Sequence, residues 1–232
     1  MKGRVIAIVP AAGRGRRMCS EKEEKPFLEI SGRSVLLECL SRMNASDTLD
    51  GIIVVAGRDQ VERVERMTAE NRLDKVLRVI TGGDTRSRSV KNAMDTLDLG
   101  AADIVLIHDG VRPFITEEMI LRSVRAAIEK GAAVTAIPCS STLKEVSSGG
   151  MIVRTMDRSV IWEAQTPQAF RFPIIKSAYE SGDLGGATDD AFLAERAGHP
   201  VSIVKGDRRN MKVTVPEDLK IAEAMMASME KG

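Results

Sequence analysis

Short apolar runs recur along the chain, with enough residues between them for a helix. They are rich in valine and isoleucine and lack a regular alternation of apolar and polar positions. Such runs are typical of strands that helices cover on both faces. They fall at 5–9, 52–55, 76–80, 104–107, 133–137 and 201–204. We therefore expect six strands that are buried on both sides.

Helical patterns lie between most of these runs, at 34–43, 60–68, 88–97 and 117–130. Thr116 stands before two glutamates, and Thr214 stands two residues before Pro216 and its acidic neighbours, so both read as helix starts. The last helix should run to about Met229. The alternation of strand and helix predicts an α/β fold with a doubly wound, mostly parallel sheet.

One segment interrupts this alternation. The turn-forming residues 147–150, Ser-Ser-Gly-Gly, separate two strand-like stretches at 142–146 and 151–156, which predicts a β-hairpin. An isolated hairpin is only marginally stable in water, so it needs another surface to lie on. Without an internal repeat or a linker, we expect one domain spanning 1–232 with an inserted β-arm at about 139–159.

The amino-acid composition limits the classes of binding partner that we expect. Lys plus Arg number 34 and Asp plus Glu 33, which leaves a net charge of +1, and only 3% of the residues are aromatic. Neither a basic nucleic-acid groove nor a base-stacking surface is expected. The three cysteines are scattered, which favours a reducing compartment such as the cytoplasm. No apolar run is long enough to cross a membrane.

The strongest local signal follows the first apolar run. Pro10, Ala11, Ala12 and Gly13 form a loop of small residues, and a cluster of arginines comes next. Small residues after a parallel strand let backbone N–H groups approach phosphate oxygens, and arginines supply countercharge. The loop fits a polyphosphate. It lacks the Gly-Lys-Ser/Thr of the Walker A motif and the third glycine of the dinucleotide motif.

Two further strand ends carry polar residues. Gly82-Gly83-Asp84 follows the third run, with Ser89 in the next helix, and His108-Asp109 follows the fourth, with Arg112 close behind. Ligands bind at this edge of an α/β sheet. Asp109 could hold a divalent cation or sugar hydroxyls, or it could simply pair with Arg112. It is the only candidate metal ligand.

No set of residues favours covalent nucleophilic catalysis, because no Ser/His/Asp group and no Cys–His neighbours occur. What remains is fixed positive charge, which phosphoryl and nucleotidyl transfer need. The ordered blocks resemble the 2-C-methyl-D-erythritol 4-phosphate cytidylyltransferases, whose fold is a nucleotidyltransferase-like Rossmann variant. They are 10–18, 82–84 with Ser89, 108–113, 162–168, 188–189 and 212–219.

This resemblance implies a reaction and roles for residues. The substrate phosphate attacks the α-phosphorus of CTP, with Mg²⁺ on the triphosphate, and pyrophosphate leaves. The catalytic residues would be Arg17 and Lys25 at the triphosphate and Arg158 and Lys212 at the acceptor. The nucleotide would contact Pro10, Ala11, Ala12, Gly13, Gly83, Asp84 and Ser89. The acceptor side would comprise Asp109, Arg112, Thr142, Thr166 and Thr188.

The resemblance also implies a homodimer, in which the arm carries Thr142 and Arg158 to the site of the second subunit. The chain departs from the family pattern at Glu24-Lys25-Pro26, at Gly110 and at Arg209. Two alternatives remain open. The acceptor could be another polyol phosphate, such as ribitol 5-phosphate, or the protein could be a non-catalytic nucleotide-binding regulatory module.

Overall fold

The computed structural model describes residues 3–13, 25–181 and 183–229. Seven of its strands form one sheet in the order β11-β7-β10-β6-β1-β4-β5. The strands are β1 (Val5–Pro10), β2 (Glu29–Ile30), β3 (Arg33–Ser34), β4 (Gly51–Ala56), β5 (Val76–Thr81), β6 (Ile104–Ile107), β7 (Ala132–Pro138), β8 (Lys144–Val146), β9 (Ile152–Thr155), β10 (Trp162–Arg171) and β11 (Ser202–Lys205).

Helices cover both faces of this sheet. They are α1 (Val35–Asn44), α2 (Val61–Glu70), α3 (Arg86–Met94), α4 (Glu117–Lys130), α5 (Phe172–Glu180), α6 (Asp190–Arg196) and α7 (Pro216–Met229), with 3-10 turns at Lys25–Phe27, Arg58–Gln60 and Arg158–Val160. Alternate residues of β1 enter opposite cores: Ala7 packs in one apolar cluster and Ile8 in the other. The predicted α/β class and mostly parallel sheet are confirmed.

Helix starts follow the predicted chemistry. The Thr116 hydroxyl accepts from the Met119 amide at 3.3 Å and caps α4, as its sequence indicated. Helix α3 begins at Arg86, two residues earlier than predicted, because Thr85 caps it through the Arg88 amide at 3.1 Å. Asp84, a predicted nucleotide contact, lies just before this cap and is exposed.

Burial on both faces holds for the central strands but not for the two edge strands, β5 and β11, and in β11 Ile203 is 48% exposed. All positions of β4 are buried, whereas β5 lies at the sheet edge with no fully buried residue and Leu77 56% exposed. Its run of apolar residues therefore led to a wrong expectation. An edge strand has one neighbouring strand instead of two, and the helices that pack on β5 leave its residues at least partly exposed.

Strand β10 was not predicted. It is antiparallel to both neighbours, β6 and β7, and its register with β7 shifts between Ala164 and Gln168. Glutamines and Pro167 interrupt the apolar pattern there, so periodicity gives no strand signal. The insertion of β10 makes the sheet mixed, and it places three polar side chains, Gln165, Thr166 and Gln168, in the interior.

The predicted hairpin is present as β8 and β9, with strands shorter than expected. It forms its own two-stranded sheet, separate from the main sheet, and both strands are exposed throughout. Within the described ranges, no helix has the length and apolarity that a membrane span requires. The assignment of 1–232 to a single domain stays a prediction.

Candidate active site

The predicted nucleotide loop lies at the carboxyl ends of β1, β4 and β5. The Ala11 amide donates to Val55 O at 2.7 Å, which joins the loop to β4. Gly82 leaves no room for a side chain, because a Cβ there would lie 2.6 Å from the Ala12 Cβ and 2.8 Å from the Ser89 hydroxyl oxygen. The two predicted phosphate-binding segments are therefore packed directly against each other.

Ser89 fixes the second of these segments. Its buried hydroxyl donates to Thr85 O at 2.9 Å and accepts from the Gly83 amide at 3.1 Å. Gly13 is exposed, with open space around its Cα, and Pro10 is half-buried. The small residues of this loop thus present backbone to the open side of the sheet edge, as phosphate binding requires.

Two predicted catalytic residues cannot be placed. Arg17 lies outside the described residues, and of Lys25 only the backbone, at the start of a 3-10 turn, is described. Their proposed convergence on a triphosphate stays a prediction.

Next to the loop lies a cluster of ion pairs around Asp109, which is only 6% exposed. One carboxylate oxygen accepts from Arg86 Nε at 2.8 Å and the other from Lys212 Nζ at 2.7 Å. The Nε of Arg112 is more distant, at 3.8 Å. The possible simple pairing of Asp109 with Arg112 is therefore the weakest of the three contacts.

Arg86 also reaches a second carboxylate. Its Nη1 donates to Asp190 at 2.8 Å, and Asp190, which is fully buried, accepts a further bond from the Tyr179 hydroxyl. Helix α6 supplies Asp190 and α5 supplies Tyr179, so this group ties both helices to α3. We call Arg86, Asp109, Arg112, Asp190 and Lys212 the charged rim.

Electrostatics keep Asp109 and Arg86 of the charged rim ionised. Burial alone would raise the pKa of Asp109, but the charges of Arg86 and Lys212 outweigh it and hold that pKa far below its usual range. Burial also opposes the charge of Arg86, and Asp190 and Asp109 reverse this and raise its pKa. The rim therefore carries three cations and two carboxylates, an excess of one positive charge.

Hydrogen bonds hold the loops that carry these charges. The Thr166 hydroxyl accepts from the Asp109 amide at 3.1 Å and lies 3.0 Å from His108 Nδ1. Asn210 donates from Nδ2 to Thr166 O at 2.7 Å, and its own carbonyl accepts from Arg112 Nη1 at 2.7 Å. Strand β10 thus fixes both the loop after β6 and the loop before α7, and so places Lys212 beside Asp109.

His108 was expected to be no more than part of the strand end. It is fully buried, and its Nε2 lies 3.1 Å from Arg112 O. Burial lowers its pKa to about 4, so the ring is neutral at pH 7. It can bridge Thr166 and the loop that carries Arg112, which is a supporting role.

The predicted acceptor residues fall into two groups. Asp109, Arg112, Thr166 and Lys212 converge on the rim. Thr142, Arg158 and Thr188 are exposed, and Arg158 donates from Nη1 to Ser140 O at 3.0 Å across the base of the arm. No contact with the rim is recorded for these three among the described residues.

Sequence reasoning missed Arg86, Asp190 and Asn210 as members of this cluster. Arg86 and Asp190 lie 104 positions apart, so no spacing rule connects them, and only the fold brings the first residues of α3 and α6 together. Asn210 stands two residues before Lys212, and that proximity to a predicted site residue was the available signal.

Asp109 does not fit the metal-ligand role that was open for it. Both of its carboxylate oxygens accept from cationic side chains. In the part of the chain that the structure describes, no three His, Cys, Asp or Glu side chains cluster in a way that could hold a metal ion.

A mixed α/β sheet with a small-residue loop and a cationic rim at its carboxyl edge defines a nucleotidyltransferase-like protein. The model of the 2-C-methyl-D-erythritol 4-phosphate cytidylyltransferase family matches residues 5–228. A cytidylyltransferase of this name from Syntrophus aciditrophicus is 44% identical over 233 residues, covering 99% of each chain. Another from Geobacillus kaustophilus is 42% identical over 224 residues, with 96% of each chain covered.

Solved structures agree with the sequence relatives. The crystal structure of 4-diphosphocytidyl-2C-methyl-D-erythritol synthase from Anaerococcus prevotii superposes with a TM-score of 0.85 at 31% identity, covering 97% of this chain and 96% of that one. The chain belongs to the 2-C-methyl-D-erythritol 4-phosphate cytidylyltransferase family, and it is a nucleotidyltransferase.

Proposed function

We propose that the protein transfers CMP from CTP to 2-C-methyl-D-erythritol 4-phosphate, a step in non-mevalonate isoprenoid synthesis. An acceptor phosphate oxygen attacks the α-phosphorus of CTP, and the bond to the bridging oxygen of the leaving pyrophosphate breaks. The observation that carries this proposal is the placement of Lys212 and Arg112 around Asp109, beside the small-residue loop of β1. That arrangement offers adjacent places for an acceptor phosphate and a triphosphate.

On the nucleotide side, the exposed backbone of Gly13 and the half-buried backbone of Ala12 would take phosphate oxygens, and Gly83, whose amide is held by Ser89, would contact the nucleotide beside Asp84. Arg17 and Lys25 would neutralise the charge that develops on the leaving pyrophosphate. Mg²⁺ would arrive with CTP on its phosphate oxygens, since the described residues contain no acidic cluster for it.

On the acceptor side, Lys212 and Arg112 would bind the phosphate, while Asp109 and Thr166 would orient the polyol hydroxyls. Asp109 suits this task because it is ionised and held by Arg86 at 2.8 Å. An ionised carboxylate accepts strong hydrogen bonds from hydroxyl donors.

We infer that the active form is a homodimer in which the arm, residues 139–159, completes the site of the other subunit with Thr142 and Arg158. Four apolar residues of the hairpin are between 56% and 73% exposed: Val146, Met151, Ile152 and Val153. Exposed apolar side chains on a two-stranded sheet favour burial against another surface.

A cytoplasmic location accords with the buried free thiols of Cys39 and Cys139.

The direct test measures pyrophosphate release from CTP and Mg²⁺ with 2-C-methyl-D-erythritol 4-phosphate and, side by side, ribitol 5-phosphate. We expect turnover with the first acceptor and at least tenfold lower kcat/KM with the second. Equal or preferential use of ribitol 5-phosphate would reassign the acceptor. Absence of release at high enzyme concentration, with CTP binding retained, would favour the regulatory module instead.

The variant Lys25→Ala distinguishes an enzyme from a non-catalytic nucleotide-binding module. In an enzyme, removing one fixed transition-state charge contact lowers kcat by about 100-fold. A module would bind CTP before and after the substitution and turn over in neither form.

A further inference from the structure

The two close cations on Asp109 differ in how freely they can leave it. The Lys212 side chain is 39% exposed, and within the described ranges its ammonium pairs with Asp109 and with no other carboxylate. The Arg86 side chain is 26% exposed, and its guanidinium simultaneously holds Asp190. Rotating Arg86 away would leave Asp190, which is fully buried, without its cation, and an unpaired buried charge is strongly destabilising. Lys212 can swing out at much lower cost.

The acceptor phosphate, bound as proposed above, competes with Asp109 for the Lys212 ammonium, because both present anionic oxygens to it. A carboxylate that keeps another cation releases its lysine more readily than one left without a partner, because Coulomb attraction is strong in a buried site. Arg112, at 3.8 Å from Asp109, is itself a candidate for the phosphate. Among the described residues, Arg86 is then the cation that remains to compensate Asp109 while the phosphate is bound.

We propose that Arg86 is a positioning residue for the acceptor: anchored by Asp190, it supplies the standing counter-charge of Asp109 and so releases Lys212 to the phosphate. This inference rests on the proposed function. In this proposal Arg86 makes no contact with the substrate and acts through Asp109.

A purely structural role for Arg86 makes a different prediction. The Asp109–Arg86–Asp190 bridge joins the end of β6 to α3 and α6, so losing it would loosen the site whatever stands at position 109. In our proposal, the defect arises because an uncompensated Asp109 retains Lys212. Removing that carboxylate as well should then restore phosphate binding.

The test is titration calorimetry of the full-length protein with two probes, inorganic phosphate and 2-C-methyl-D-erythritol 4-phosphate, and with CTP as reference. For Arg86→Gln we expect binding of both phosphates to weaken by about tenfold or more, while the CTP affinity changes less than about threefold. For Arg86→Gln/Asp109→Asn we expect inorganic phosphate affinity to return to within about threefold of wild type. Arg86→Lys, which keeps the charge, should recover part of the loss.

The folding risk in Arg86→Gln is the unpaired Asp190. Arg86→Gln/Asp190→Asn removes this risk and has the same summed rim charge as the wild type, yet Asp109 still lacks its counter-charge. We expect this double variant to bind phosphate as weakly as Arg86→Gln. Lys91→Gln, on the same helix and paired with the exposed Asp95, is the matched control and should bind all three ligands as the wild type does.

Two results would overturn the proposal: unchanged phosphate binding in Arg86→Gln and Arg86→Gln/Asp190→Asn, or a loss that persists in Arg86→Gln/Asp109→Asn. Neither readout requires turnover. If the wild type releases no pyrophosphate, the proposed function fails on its own assay while the phosphate series still judges Arg86. If the wild type is active but the series shows no rescue through Asp109, only the inference about Arg86 fails.

Discussion

The charged rim and the arm carry ionic residues in opposite settings. In the rim, Asp109 and Asp190 are almost completely buried, and their cations come from three different segments of the chain. In the arm, Arg154 pairs with Glu145 across two strands, and both side chains are about half exposed or more. The rim also lies over the two apolar cores, whereas the arm exposes its own apolar residues to solvent.

This difference shows which part of the site a single chain forms by itself and which part it does not. Each rim carboxylate finds its counter-charge within the same chain, so its geometry is set by folding alone. The arm buries too little apolar surface to be set in this way. Arg158, whose proposed role is in catalysis, belongs to the arm, so a full site would require a second copy.

The largest effect should come from the rim. Lys212→Ala removes the cation that the acceptor phosphate needs, and we expect kcat/KM for the acceptor to fall by about 100- to 1,000-fold. The equivalent change in the arm, Arg154→Ala, breaks an exposed pair and should cost well under about 1 kcal/mol in stability, with turnover within a few-fold of wild type. Steady-state kinetics and thermal unfolding measure both. Comparable losses in the two variants would erase the contrast between the regions.

Subunit mixing tests whether the arm serves its neighbour. Lys212→Ala and Arg158→Ala should each be nearly inactive alone. In a mixed dimer, one of the two sites would combine the intact Lys212 with the intact Arg158. Random reassociation would therefore recover about a quarter of wild-type activity. Co-expression with two affinity tags isolates the mixed species. A mixture as inactive as its parents would mean that the arm does not complete the neighbouring site.

Lowering the pH should destabilise the fold around the rim before it affects the arm, because His108 becomes protonated. Its pKa is lowered to about 4 in the folded protein, against 6.5 for the ordinary side chain. The unfolded chain therefore binds more protons between these values, and stability falls as the pH drops through the window, by up to about 3 kcal/mol. Asp109 adds a loss of the same sign at still lower pH.

Urea unfolding from pH 7 to pH 4 measures this dependence. His108→Asn should flatten the slope. His199→Asn provides the control, since His199 hydrogen-bonds Ser177 near the surface. A slope that His108→Asn leaves unchanged would contradict the assignment.

The smallest effect concerns glycines in the two regions. A Cβ at Gly82 would collide with Ala12 and Ser89, whereas at Gly149, in the turn of the arm, the nearest atom is Ser147 Oγ at 3.9 Å. Gly82→Ala should cost about 1–3 kcal/mol and weaken CTP binding. Gly149→Ala should stay within about 0.5 kcal/mol. Chemical denaturation and CTP titration compare them, and equal tolerance at both positions would refute the tight packing of the nucleotide loop.

Local signals were enough for most of the fold. Strands such as β1 and β6 are short, apolar and flanked by helical patterns, so their chemistry and their context agree. Thr116 and its acidic followers marked α4 to the residue. Strand β10 failed this approach because its buried positions include Thr166 and Gln165, which hold neighbouring loops through hydrogen bonds to the Asp109 amide and to Asp207 O.

The site divides in the same way. Lys212 and Asp109 could be predicted to meet because strand ends of a parallel sheet share an edge and the family resemblance names both. Arg86 and Asp190 could not, because their pairing depends on how the fold brings the start of α6 to the start of α3. A buried ion pair between distant residues leaves no periodic trace in sequence.

Strand β10 has a mechanical consequence. Its first residue, Trp162, follows the base of the arm directly, and four positions later Thr166 supports the amide of Asp109. One continuous strand thus follows the arm and also supports the charged rim. The placement of the arm's base and that of the Asp109 amide therefore depend on the same strand, with three residues between Trp162 and Thr166.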